Sequence, residues 1–224
     1  MRNRRLSWSL SFAVLTAAGV WAQERPVPTA AMFPVLPADQ VATVRPAPLD
    51  LLRIGQEDLL REAQELPLRY AIPTAVAMTP ADSGTWEDLG NGQRLWRLRI
   101  VAPKGTNSLN LGFTRFRLSP GDRLLVHSTD GKRGMRAFTA ADNEEHGELW
   151  TPVVATADLM VELTVARADS SAELRLGWIN QGYRGFGTVT DSNYDKSGSC
   201  NLDVECLDPG DPWRDVMQLS LIHI

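Results

Sequence analysis

The stretch RLWRLRI at residues 94–100 alternates large apolar side chains with arginines. Trp96, Leu98 and Ile100 would face one way while Arg97 and Arg99 face the other, because successive side chains of a strand point to opposite faces of a sheet. A period of two with one apolar face is typical of a half-buried antiparallel strand. The stretch therefore predicts a β-strand whose tryptophan-bearing face packs on a core.

Three further stretches repeat this alternation. DLMVELTV at 158–165 and AELRLGWI at 172–179 each have one apolar face, which in the second includes Leu174, Leu176 and Trp178. SLNLGFTRFRL at 108–118 alternates and then changes phase, which predicts a bulge or bend near Thr114. Turn-forming sequences separate these stretches, so we predict a mainly β fold, specifically an antiparallel β-sandwich over residues 67–187.

The N-terminus has the features of a secretion signal. Three arginines in MRNRR precede an apolar stretch, and small residues predict cleavage after Ala22. The stretch is shorter than the roughly 20 apolar residues of a membrane span, although a retained anchor is the alternative. We therefore expect residues 1–22 to be a signal peptide, and the remaining chain to be secreted and free of the membrane.

Two different segments follow the signal. Residues 23–48 are rich in proline and alanine, which predicts an extended linker without packed structure. Residues 49–66 place Leu52, Leu59, Leu60 and Ala63 at helical spacing, which predicts a short amphipathic helix that docks through these residues. The acidic polar face of this helix disfavours membrane binding.

The composition and motifs exclude several functions. The chain has 224 residues and a net charge of −4, so it lacks the basic patch expected of a nucleic-acid-binding protein. No cysteine or histidine cluster has metal-ligand spacing, and we expect neither a metal nor a cofactor. The acidic run at 142–148 could hold a cation but is more typical of a solvated loop. No GxSxG or GDSG motif marks a nucleophilic serine.

The tryptophans and cysteines leave alternatives open. The tryptophans at 86, 96, 150, 178 and 213 could stack on sugar rings, but Trp96 and Trp178 fall on predicted apolar faces, where core packing explains them. The only cysteines, Cys200 and Cys206, lie beyond a glycine- and serine-rich segment whose residues 188–196 are predicted to form an exposed connector. They could bridge to each other or pair with cysteines further along a longer chain.

Several stretches together resemble the precursors of secreted bacterial trypsin-like serine endopeptidases, the lysyl endopeptidase group. GTWEDLGNGQRLWRLRI (84–100), SLNLGFTRFRLSPG (108–121), FTAADNEEHGELWTPVV (138–154) and ELRLGWINQGYRGFG (173–187) resemble the pro-region of that family. SGSCNLDVECLDPGDPWRD (197–215) resembles the start of the mature protease. Their ordered combination is more specific than any one stretch.

The resemblance implies a particular organisation. The β-sandwich would be a pro-domain that aids folding and restrains activity, and residues 197–218 would begin a double β-barrel peptidase domain exported through the periplasm. Lys196–Ser197 would be the maturation bond, and Cys200 and Cys206 would bridge to cysteines beyond the chain. The partners implied are the chain's own peptidase domain and, for the full-length enzyme, protein substrates.

The chain also departs from the family. The family's TAHHC-like and GDSGSP-like segments are absent after Gln218, so no catalytic residue can be assigned, and the chain as given is expected to be inactive. We expect the final LSLIHI, residues 219–224, to be a sequencing-adapter artefact on a truncated gene, with a genuine strand as the alternative.

Two other functions remain open from the residues alone. The first is a complete secreted β-sandwich module that binds carbohydrate or a surface partner, with Cys200 and Cys206 paired to each other. The second is a sandwich that inhibits or chaperones a separate protease chain.

Overall fold

A computed structural model describes residues 27–90, 92–166 and 171–184. This part of the chain is mainly β, with nine strands, one α-helix and three single turns of 3-10 helix. The helix α1 spans Leu51–Ala63. The strands are β1 Thr43–Val44, β2 Ala71–Met78, β3 Thr85–Asp88, β4 Arg94–Val101, β5 Ser108–Arg117, β6 Arg123–Ser128, β7 Leu149–Trp150, β8 Asp158–Val165 and β9 Glu173–Gly182.

The strands form two open sheets. The first has the order β1-β4-β8-β6. β1 and β3 lie on the same edge of β4, where β1 pairs with the second half of β4 and β3 with the first half. The second has the order β2-β9-β5-β7. Every pairing is antiparallel except that of β1 with β4, which is parallel. The strand predicted from RLWRLRI is thus confirmed, and it lies in the interior of its sheet.

One hydrophobic cluster receives side chains from both sheets. Trp96, Leu98 and Ile100 of β4 are buried there, as the alternation predicts. Leu111 and Phe113 of β5 come from the second sheet. Because each sheet buries one face in this cluster, the opposite face of each sheet is available to other contacts.

A bulge changes which face the second half of β9 presents. The pairing of β5 with β9 shifts register on both sides of Phe113, so the predicted irregularity near Thr114 is confirmed. A Cβ on Gly177 would lie 2.4 Å from Cγ2 of Thr114, so glycine lets the two strands approach there. Beyond the bulge Ile179 is buried and Trp178 is not part of the core. The prediction that Trp178 packs in the core was wrong for this reason.

The helix is present but docks through a different face from the one predicted. Asp50 begins it, since its side chain accepts a hydrogen bond from the N–H of Arg53. Ile54 and Asp58 are its buried residues. The leucines expected to dock are exposed, namely Leu52 (84%), Leu59 (67%) and Leu60 (65%). A buried carboxylate with fixed partners decides the orientation of this helix, and helical spacing of leucines does not reveal it.

Residues 27–48 pack against the first sheet, in contrast to the predicted linker. Val41 is buried, and Thr43–Val44 forms β1 against β4. The N–H of Thr29 donates to Oε2 of Glu162 at 2.8 Å, and that of Leu36 donates to Oε1 of Glu87 at 2.6 Å. These hydrogen bonds to carboxylates hold a proline-rich segment that composition alone describes as extended.

None of the helices among the described residues is long and apolar enough to cross a membrane.

Candidate functional site

The outer face of the second sheet carries a row of side chains that crosses all four strands. Ala75 of β2 pairs with Trp178 of β9, Trp178 pairs with Gly112 of β5, and Gly112 pairs with Trp150 of β7. Directly paired residues project from the same face of a sheet. Because the next residues along β5 and β9, Leu111 and Ile179, are buried in the core, this row faces outward.

Glycine at position 112 allows one indole to lie on the sheet. A Cβ at Gly112 would fall 2.6 Å from the ring of Trp150, so the indole rests against the glycine backbone. Trp150 is 53% exposed, which leaves its other side open. Trp178, on the far side of Gly112, is half-buried. The backbones of Trp150 and Trp178 are two strand spacings apart, or about 10 Å, and the Trp150 indole lies over the glycine between them.

Polar amides flank the tryptophans. Asn110 of β5 and Asn180 of β9 are paired directly, one row along the sheet from Gly112 and Trp178. Both are half-buried, and within the described residues no side-chain partner is found for either amide. The neighbouring outward residues of β2 are Pro73, Ala75 and Ala77, which are small and exposed. We call this surface the tryptophan face: Pro73, Ala75, Ala77, Asn110, Gly112, Trp150, Trp178 and Asn180.

Charged residues continue the face beyond the bulge. Arg115 pairs directly with Arg175, and Arg117 with Glu173. Arg115 donates to Glu173 at 3.2 Å, whereas Arg175 has no partner in the described part of the chain. A groove of about 380 Å³ here is lined by Thr114, Arg115, Phe116, Arg117, Glu145, His146, Gly147 and Glu173.

A larger cavity of about 710 Å³ opens near the start of β9. Leu163 of β8 and Leu174 of β9 are among its apolar lining. Trp86 also lines it and has two partners: its Nε1 donates to the Pro80 carbonyl at 2.7 Å, and the Arg94 guanidinium lies 4.4 Å above its ring. Because both its N–H donor and one face of its ring are engaged, Trp86 lines the cavity but offers little free ring surface for stacking on a ligand.

A buried ionic cluster ties the helix to the end of β9. The Asp58 carboxylate accepts hydrogen bonds from Arg69 Nε (3.1 Å), Tyr183 Oη (2.6 Å) and Arg184 Nη2 (3.0 Å). Burial alone would raise the pKa of Asp58, but these donors outweigh burial and hold that pKa below its ordinary value. Tyr183 Oη also lies 2.7 Å from the Arg69 carbonyl oxygen. Tyr183 and Arg184, the last described residues, are therefore held against α1.

A second buried cluster holds the N-terminal segment. Glu162 of β8 is 1% exposed; its Oε1 lies 3.6 Å from Nε2 of His127, and its Oε2 accepts from the N–H of Thr29. Burial would raise the pKa of Glu162, but His127 and Thr29 together lower it. Arg97, beside it, bonds to Glu87 and donates to the Leu36 carbonyl at 2.7 Å.

Neither histidine in the described ranges is arranged for nucleophilic catalysis. His127 Nδ1 bonds to the Ser128 backbone carbonyl at 2.8 Å, and Nε2 faces Glu162. His146 Nδ1 accepts from the N–H of Glu148 at 3.0 Å. Neither ring is therefore paired with a serine hydroxyl.

The acidic run at 142–148 does not gather into a cation site. Asp142 pairs with Arg136 and accepts from the N–H of Thr139 at 2.8 Å. The Arg136 guanidinium is the main cause of the lowered pKa of Asp142. In the part of the chain that the structure describes, no three histidine, cysteine, aspartate or glutamate side chains are placed to hold a metal.

The processing and disulfide residues predicted from the sequence lie outside the described residues. These are Ala22, Lys196, Ser197, Cys200 and Cys206. The tryptophan face was missed by sequence reasoning because its residues come from four strands. Gly112, within an otherwise typical strand sequence, and Trp150 are both visible in the sequence. Only the register of β5 with β7 shows that they are paired. The sequence matches no protein-family model.

Proposed function

We propose that this chain is the N-terminal part of the precursor of a secreted serine endopeptidase of the lysyl endopeptidase type. Residues 1–22 are then the signal peptide, and residues 67–187 form a β-sandwich pro-domain that assists folding and restrains activity. The peptidase domain, a double β-barrel, begins after Lys196. The ordered resemblance of five separate stretches over residues 84–215 carries this proposal.

The position of the last described residues, next to α1, supports this proposal. Tyr183 and Arg184, at the end of the described residues, bond to Asp58 of α1. The segment that would lead into the peptidase domain thus starts beside the helix. A groove of about 270 Å³ lies at this junction, lined by Leu51, Ile54, Gly55, Asp58, Leu59, Glu62, Tyr183 and Arg184.

The exposed leucines of α1 support a protein partner at this position. Leu52, Leu59 and Leu60 are each more than half exposed. Exposed apolar clusters commonly mark protein interaction sites, and a domain tethered by the following chain has a high effective concentration there. A pro-domain must hold its own peptidase domain, and this helix offers a surface for that contact.

The first test concerns the gene and its product. A long read across the locus, started upstream of the Gln218 codon, should continue into a histidine-bearing and then a GDSG-type segment. Expression of that complete gene should yield a mature protein that begins at Ser197, as found by mass spectrometry. A stop codon directly after the Ile224 codon would overturn the proposal for this gene.

A variant tests the maturation bond separately. Lys196→Ala should block cleavage at Lys196–Ser197 if the enzyme processes itself after lysine. Normal maturation of this variant at the same position would refute self-cleavage after lysine but leave the precursor proposal intact. Lys104→Ala is the matched control, because it removes an exposed lysine from the turn after β4, outside the connector, and should leave cleavage unchanged.

A further inference from the structure

We propose that the tryptophan face is a binding site for an uncharged polysaccharide. This inference is independent of the precursor proposal, because it concerns a surface formed entirely within the second sheet. Four observations lead to it: the two indoles, the free amides, the lack of large aliphatic side chains among the residues of the face and the balance of charge.

The indoles provide flat apolar surface that water contacts on one side. Trp150 lies against Gly112 with more than half of its surface exposed, and Trp178 is in the same row. The C–H groups of a sugar ring present a similarly flat apolar surface. Because the Trp150 indole covers Gly112, which is next to Trp178 in the row, the two indoles offer neighbouring apolar surfaces to an extended glycan.

The amides supply hydrogen bonds of both kinds. An asparagine side chain offers two N–H donors and a carbonyl acceptor. Sugar hydroxyls also both donate and accept, so they match this pair of side chains. Neither Asn110 nor Asn180 has an internal partner within the described residues, and both groups are therefore free to bond to a ligand.

The face differs from a surface built for another protein. Protein interfaces combine aromatic residues with a closely packed apolar core. The tryptophan face has only alanine and proline beside its indoles, at positions 73, 75 and 77. The most exposed aliphatic residues include Leu52, Leu59 and Leu60 of α1, whereas Val153, three residues after Trp150, is only 37% exposed.

The charges near the face favour a neutral ligand over a polyanion. Arg115, Arg117 and Arg175 lie on the rows beyond the bulge, on β5 and β9. The carboxylates close to them are Glu173, Glu145 in the adjoining groove and the exposed Glu148 that precedes β7. Because carboxylates lie among these arginines and Arg115 is already paired with Glu173, an acidic polymer would gain little net attraction.

Binding should be measured on the full chain with four soluble neutral polysaccharides: mixed-linkage β-glucan, xyloglucan, galactomannan and dextran. Tryptophan fluorescence and affinity electrophoresis report the interaction. At least one of these polymers should bind, and the affinity should stay within about twofold when the NaCl concentration rises from about 0.05 to 0.5 M. Polygalacturonate is the acidic comparison and should bind more weakly.

Variants assign the binding to this surface. Trp178→Ala should weaken binding about tenfold, which corresponds to about 1.4 kcal/mol. Asn180→Ala should weaken it about threefold, and because this amide has no internal partner, folding should be unaffected. Leu59→Ala is the control, since it removes an exposed apolar side chain from α1 and should leave the affinity unchanged.

Three outcomes would overturn the proposal. The first is no binding to any of the four neutral polymers. The second is tighter, salt-sensitive binding to polygalacturonate, which would indicate an anion site. The third is a dimer seen by analytical ultracentrifugation that Trp178→Ala dissociates, which would show that the face binds a second copy of the chain.

Discussion

The Asp58 carboxylate joins helix α1 to Arg69 and to the end of β9, so its charge should stabilise the fold more than the charges of neighbouring residues on the helix do. Only 8% of its side chain is exposed, and it receives donors from Arg69, Tyr183 and Arg184. Asp58→Asn preserves the shape and one acceptor oxygen but removes the negative charge. The two guanidinium groups then lose their ionic partner in a poorly hydrated position.

The cost follows from these contacts. A hydrogen bond to a charged group is worth about 1.5–3 kcal/mol. Arg69 keeps a second carboxylate, Glu57 at 3.0 Å, and Arg184 is 39% exposed, so both are partly compensated. We therefore expect Asp58→Asn to lower the free energy of unfolding by about 2 kcal/mol. With a urea m-value of about 2 kcal/mol/M, the midpoint should fall by about 1 M.

Glu57→Gln is the matched control. Glu57 lies next to Asp58 on the same helix and also pairs with Arg69, but its side chain is 39% exposed. Its removal should cost less than about 1 kcal/mol, as is usual for exposed ion pairs. Equal urea midpoints for the two variants, or a wild-type midpoint for Asp58→Asn, would refute the argument that burial and three donors make this carboxylate special.

The pH dependence provides a second check on the same residue. Because the pKa of Asp58 is depressed in the folded protein, its contribution to stability is present above the ordinary value of 3.8 and is lost as the pH falls through the folded pKa. The difference in stability between wild type and Asp58→Asn should therefore be full at pH 7 and shrink below about pH 4.

Two further substitutions test other contacts. Gly84→Ala should lower the free energy of unfolding by at least about 2 kcal/mol, because φ is +77° and a Cβ would lie 2.2 Å from the buried Trp96 indole. Gly90→Ala is the control, since Gly90 has φ +76° but nothing within 4 Å of its Cβ position. Thermal unfolding should show that this control costs only the backbone strain, about 1 kcal/mol. Glu162→Gln should lower the free energy of unfolding at pH 7 by about 1–2 kcal/mol and speed proteolysis near Thr29. The difference in stability between wild type and this variant should shrink below about pH 4.5, because the pKa of Glu162 is depressed in the folded protein. A difference that stays the same at low pH would contradict the role of the Glu162 charge.

The sequence predicted the strands well because their alternation is a local property. RLWRLRI became β4 with Trp96, Leu98 and Ile100 in the core. The same reasoning failed for Trp178, because one bulge shifts every later side chain of β9 to the other face. The phase change near Thr114 was visible in β5, but its effect on β9 depends on a pairing that a single sequence does not show.

The N-terminal segment and the helix were misjudged for a different reason. Proline content predicted a free linker at 23–48, yet Thr29 bonds to a carboxylate 133 residues away. Leucine spacing predicted the docked face of α1, yet Asp58 takes that place through Arg69, Tyr183 and Arg184. In both cases a buried carboxylate with partners far away in the sequence outweighs local composition, since leaving such a charge without partners would be costly.

The exposed leucines of α1 and the tryptophan face have different chemistry, and this difference separates the roles that we propose for them. The leucines of α1 lie on the helix that Arg184 contacts through Asp58, which is why we propose a covalently tethered domain as the occupant of that surface. The tryptophan face instead combines indoles with free amides, which suits a hydroxyl-rich ligand that need not be tethered. Removal of the segment after Arg184 should therefore leave polysaccharide affinity unchanged, whereas loss of Trp178 should leave contact with a tethered domain unchanged.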